Sequence, residues 1–96
     1  MYARLTTIQG TPEKIEDAIR VVQNDVIPGS KVLEGFKNGY WCADRTSGAM
    51  FALTLFDTEV NLKSSEAAAS QLRKTSTEKL GFEVKNVERF EVIAQA

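Results

Sequence analysis

The sequence predicts an α+β domain of β-α-β-β-α-β order, a four-stranded antiparallel sheet with two helices on one face. Three observations carry this. Apolar residues recur at helical spacing through 15–26, a second helical stretch covers 58–80, and β-rich segments flank and separate the two. The 96 residues, 43% hydrophobic and 26% charged, are enough for one domain spanning 1–96.

The first segment, Tyr2 to Ile8, is rich in β-branched residues and reads as a strand, broken at Gly10. Thr11-Pro12-Glu13 then opens a helix. Thr11 suits the cap, Pro12 the first helical position and Glu13 the positive end of the dipole. Ile15, Ala18, Ile19, Val22 and Val26 form one apolar face, and Pro28-Gly29 is expected to stop the helix near Val26.

Residues 31–45 admit two readings. Asn38-Gly39 is a strong hairpin signal that divides 32–37 from 40–45. Alternatively, one strand runs from Phe36 to Asp44, bent at Gly35 or Gly39, and turns at Thr46-Ser47-Gly48. The second reading is preferred, because that turn directly precedes the clearest strand, Ala49 to Asp57. Both faces of this strand are largely apolar, so it expects cover on both sides.

Across 58–80, Leu62, Ala69, Leu72, Ser76 and Leu80 share a small, weakly apolar face, with Ser65 beside them. Thr58 starts a short turn, Ser64 or Ser65 recaps a longer helix, and Gly81 ends it. Lys63, Glu66, Arg73, Lys74, Glu78 and Lys79 read as a solvated face. Glu83 to Ala94 is the last strand. The element order is that of a ferredoxin-like fold, whose right-handed crossovers leave one sheet face without helices. Trp41, Tyr40, Phe36 and strand three would make that face apolar. Stacking two such faces in a homodimer, at ~500 Å² per chain, contributes on the order of 12 kcal/mol before association costs.

Composition excludes more than it affirms. Twelve basic and thirteen acidic residues leave a net charge of −1, which argues against nucleic acid as a partner. Histidine is absent, which removes His-based triads and most zinc sites; the single Cys42 permits no internal disulfide and reads as a small hydrophobe. No stretch approaches the ~20 apolar residues of a membrane span, and no signal peptide is visible, so a cytoplasmic location is expected. Dinucleotide, phosphate-loop and serine-elbow motifs are missing.

Residues 35–57, Gly-Phe-Lys-Asn-Gly-Tyr-Trp-Cys-Ala-Asp-Arg followed by Thr-Ser-Gly and Ala-Met-Phe-Ala-Leu-Thr-Leu-Phe-Asp, resemble the central hairpin of the antibiotic biosynthesis monooxygenase-like family. The Thr11-Pro12-Glu13 helix start and the Ala/Ser-rich second helix fit as well. The resemblance implies a dimeric α/β barrel with a pocket between helices and sheet in each subunit. It also implies oxidation of an electron-rich aromatic or quinol-type molecule by dioxygen without flavin, haem or metal. Its haem-degrading branch is disfavoured, because the axial histidine is missing and Phe56 stands where that branch has tryptophan. A non-catalytic dimeric module that binds a small ligand is the alternative.

Within this frame Asn38, Tyr40, Trp41 and Arg45 are candidate catalytic residues, and Arg4, Thr6, Leu53 and Phe56 candidate substrate contacts. Each has a plain structural reading. Arg45 pairs with Asp44 in the turn, Asn38 tolerates an unusual backbone angle, and Arg4 pairs with an acid such as Glu91. Tyr40 and Trp41 alternate, so one faces the pocket and the other the dimer interface. No cofactor or metal ligand is expected.

Overall fold

A computed structural model describes residues 1–96. The chain runs β1 (Tyr2–Gln9), a 3₁₀ turn (Pro12–Lys14), α1 (Ile15–Val21), a π-helical turn (Val22–Val26) and α2 (Ile27–Lys31). It continues through β2 (Phe36–Ala43), β3 (Ala49–Phe56), α3 (Glu59–Ser64), α4 (Glu66–Leu80) and β4 (Glu83–Glu91). The sheet is fully antiparallel in the order β2-β3-β1-β4, the ferredoxin-like arrangement.

Asp44 makes the β2–β3 hairpin. Its carboxylate accepts hydrogen bonds from the N–H groups of Thr46 and Ser47 at 2.8 and 3.3 Å, and its carbonyl accepts from Gly48 N–H at 2.8 Å. The two backbone donors hold the Asp44 carboxyl below the usual carboxylate range. Strand two is therefore continuous through Asn38-Gly39. Asn38 has no positive φ, contrary to the expected strained angle. A bulge between Phe36 and Asn38 supplies the bend instead.

The first helical segment differs from expectation at both ends. Thr11 makes no side-chain cap; its carbonyl accepts from Lys14 N–H at 3.0 Å. Pro28-Gly29 does not stop the helix, which continues to Lys31. Proline lacks the N–H for an ordinary i→i−4 bond, and its ring crowds the carbonyl four residues earlier. The π turn just before it opens the spacing, with Ile27 N–H reaching back to Val22 O. Gly29 lets this last turn approach α4 closely, since a Cβ there would lie 2.9 Å from Leu72 Cδ2.

In the second helical segment Thr58 Oγ1 caps α3 by accepting from Asn61 N–H at 3.1 Å. Ser65 does not recap α4; its hydroxyl donates to Leu62 O at 2.7 Å. Gly81, at φ +69°, closes α4. The final strand stops at Glu91 rather than Ala94, although Val92 N–H still donates to Met1 O at 2.9 Å. No helix is long and apolar enough to cross a membrane.

Register divides the sheet into two faces. Arg4, Thr6 and Ile8 of β1, Ala52, Thr54 and Phe56 of β3, and Trp41 of β2 face the helices. Leu5, Leu53, Leu55, Tyr40, Phe51 and Phe90 fall on the opposite, helix-free face. There Tyr40 is 57%, Phe51 44% and Phe90 50% exposed in the single chain. The core lies under the helices, centred on fully buried Phe56, Ile15 and Ala18.

Candidate functional site

Between helices and sheet lies a cavity of about 90 Å³. Sixteen of its 23 lining residues are hydrophobic, so its walls favour an apolar occupant. Phe36, Trp41 and Phe56 supply aromatic wall, and Phe36 meets Phe56 edge to face at 5.9 Å between centroids. Gly39 positions Trp41, for a Cβ there would stand 2.7 Å from the indole Cη2. Val22 and Val26 of the π turn and Ala69, Leu72 and Ser76 of α4 close the helical side. The volume is below the ~150 Å³ that accommodates a benzene ring in an apolar protein cavity. A ring therefore enters only as wall side chains rotate aside.

One end is cationic. Arg4, on β1, is 3% exposed. Its Nη2 donates to Leu62 O at 3.0 Å and Ser65 Oγ at 2.8 Å and lies 3.0 Å from Glu66 Oε1. Its guanidinium sits 5.4 Å from the Phe56 ring centroid. Arg89 is the register partner of Arg4 on β4. Two like charges side by side need an anion, and Glu66 provides it. Arg89 donates to both Glu66 oxygens, at 2.9 and 2.6 Å. The hydrogen bonds from Arg89, then those from Arg4, hold the Glu66 carboxyl at about 2.

This end holds one unsatisfied donor and one unpaired cation. Arg4 Nε–H is shielded from solvent and has no acceptor. Arg73, from α4, lines the cavity half-buried and makes no ion pair or side-chain hydrogen bond. Burial and the Arg4 charge pull its guanidinium pKa downward. Two guanidinium groups thus hold the Glu66 carboxylate, and a third, Arg73, lies beyond ion-pair distance of it. The cavity wall contains no aspartate, glutamate, tyrosine, cysteine or lysine.

The structure brings Arg4, Thr6, Trp41 and Phe56 together on this wall. Asn38, Tyr40 and Leu53 lie on the helix-free face. Arg45 sits in the hairpin and pairs with Glu16 of α1 rather than with Asp44. Arg4 pairs with Glu66 rather than Glu91. Glu66 and Arg73 are not part of a solvated face, as the charge pattern of 63–79 suggested. Arg73 sits beside Leu72 and four residues after Ala69, on the cavity-facing side of α4, and that spacing was the available signal. Cys42 is a free, half-buried thiol.

A second, more open cleft of about 480 Å³ lies beside β4, lined by Tyr2, Glu59, Lys63, Glu66, Arg89 and Phe90 among others. Its cations are already matched, Lys63 with Glu59 at 3.7 Å and Arg89 with Glu66. Neighbouring Glu91 raises the Tyr2 phenol. The cavity between helices and sheet, with its unmatched Arg4 Nε–H and unpaired Arg73, is the better candidate.

No family profile and no curated protein sequence matches the chain. Solved structures do. A Deinococcus radiodurans protein named as an antibiotic biosynthesis monooxygenase superposes with a TM-score of 0.76 at 12% identity, covering 100% of this chain and 96% of its own. HapK from Hahella chejuensis gives 0.77 at 10% identity over the same shares. A Chloroflexus aurantiacus protein, also named as an antibiotic biosynthesis monooxygenase, gives 0.69 at 11% identity, covering 99% and 95%. At such identities the likeness establishes the fold, and that fold is the one of the antibiotic biosynthesis monooxygenase-like proteins.

Proposed function

We propose that this chain works as a homodimeric, monooxygenase-like protein that binds a small electron-rich aromatic or quinol-type molecule in the cavity between helices and sheet. The observation that carries the reading is the joining of apolar aromatic walls to the unmatched Arg4 Nε–H and the unpaired Arg73 in one cavity. The walls take the ring. The cationic end favours an ionised hydroxyl and keeps it away from bulk water. Such an anion is itself the reductant, donating an electron to dioxygen. For an activated ring methylene, one oxygen atom becomes the carbonyl, and the other leaves with the two methylene hydrogens as water. The electrons balance without flavin, haem, metal or external reductant.

Oxygen uptake in the presence of hydroquinone- and anthrol-type substrates tests the reading. One dioxygen consumed per anthrol-type molecule converted is the expected result. Ligand binding without turnover above buffer gives the protein to a second reading, a non-catalytic dimeric binding module. The absence of any carboxylate, phenol or thiol from the cavity wall favours that second reading.

A further inference from the structure

We infer that the cavity selects a monoanionic ligand, and that Arg4 Nε and Arg73 form the site for its anionic oxygen. This rests on the reading of the cavity as a ligand site and names the ligand's charge class. A buried N–H without an acceptor costs about 1–3 kcal/mol, so such groups are few in a folded chain. Arg4 Nε is the single buried side-chain polar atom of this protein in that condition. Its Nη2 is committed to Leu62, Ser65 and Glu66, whereas Nε is buried with no acceptor at all.

Arg73 strengthens the case. It shares the cavity with Arg4, feels the charges of Arg4, Glu66 and Arg89, and has no carboxylate within ion-pair distance. Glu66 does not serve it, for that carboxylate pairs with Arg4 and Arg89 and makes no ion pair with Arg73. A neutral ring would leave Arg4 Nε without an acceptor and Arg73 without a counter-charge. An ionised aryl hydroxyl or a small aryl carboxylate answers both while its ring lies against Phe56 and Trp41. Arg73 is then a specificity-determining residue.

The test uses 4-nitrophenol, whose visible absorbance reports its ionisation, and 4-nitrotoluene as the neutral isostere. Trp41 is the chain's single tryptophan and lines the cavity, so its fluorescence reads binding of either probe. Wild type is expected to bind the phenolate about tenfold or more tighter than 4-nitrotoluene, the worth of one charge-assisted hydrogen bond. Bound 4-nitrophenol is expected to ionise at lower pH than the free compound. Arg73→Met should abolish both effects and keep the affinity for 4-nitrotoluene; Arg73→Lys should restore part of the preference. Arg73 makes no ion pair, so these variants leave the fold's salt links in place.

Equal affinity for the two probes in wild type overturns the inference, as does a phenolate preference that survives Arg73→Met. Failure of both probes to bind overturns it together with the cavity reading. Anion preference without oxygen uptake sinks only the oxygenase proposal, and turnover without anion preference sinks only this one.

Discussion

The two faces of the sheet invert the usual distribution of polarity. Under the helices, Arg4, Thr6, Ser76 and Thr77 are buried. On the helix-free face, where a lone chain would meet water, Tyr40, Phe51 and Phe90 stand about half exposed beside Leu5, Leu53 and Leu55. β3 displays both habits within eight residues, since Thr54 and Phe56 face inward while Phe51, Leu53 and Leu55 face outward. Buried polar groups are retained when something satisfies them, and broad exposed apolar patches mark contact with another surface. In the proposed reading the covered face takes a small molecule. The open face suits a second copy of the chain, whose sheet would stack on it.

The contrast can be broken most forcefully at Phe56, which is 0% exposed. Phe56→Ala should destabilise the fold by about 3–5 kcal/mol in urea unfolding, because the site cannot collapse around the missing ring. Next in size is Phe51→Glu on the open face of the same strand. It should leave far-UV circular dichroism intact while weakening self-association by about 2 kcal/mol or more, seen as a shift towards single chains in sedimentation. A wild-type chain that sediments as a stable monomer at micromolar concentration would remove the dimer from the proposal.

Glu66 sharpens the covered side. Its carboxyl titrates at about 2 in the folded chain against an ordinary 4.5. A depressed folded pKa favours the native state wherever the group is ionised. The contribution is complete above 4.5 and disappears as pH falls from there through 2. After solvent screening it is worth roughly 1–2 kcal/mol. Glu66→Gln should therefore lower stability at neutral pH and flatten the acid limb between those two values, read from unfolding midpoints against pH. The smallest expected effect is at Arg45, exposed and paired with exposed Glu16. Arg45→Ala should change stability by about 0.5 kcal/mol or less and leave oxygen uptake unaltered.

Element order, the 44–48 hairpin and the two-layer architecture were legible because turn chemistry and apolar spacing agree locally. The site was legible only in part. Phe36 and Trp41 are five residues apart, so simple alternation puts them on opposite faces; the bulge after Phe36 brings both beneath the helices. Pro28-Gly29 reads as a stop, and no sequence pattern announces the π turn that carries the helix past it. Glu66 looks solvated until β1 and β4 bring Arg4 and Arg89 side by side, a pairing between residues 85 positions apart. Arg4 and Phe56 were nominated on type and strand position. The commitment of Arg4 to Leu62, Ser65 and Glu66 is a tertiary fact.

The makeup of the cavity wall bears on kinetics. With guanidinium the only ionisable chemistry lining it, the protein there offers nothing that gains or loses a proton between acid and neutral solution. A plot of turnover against pH would then trace the acidity of the visiting molecule. Substrates bearing progressively more acidic hydroxyls would slide the curve to lower pH in step, whereas a curve fixed for all of them would betray a proton acceptor elsewhere.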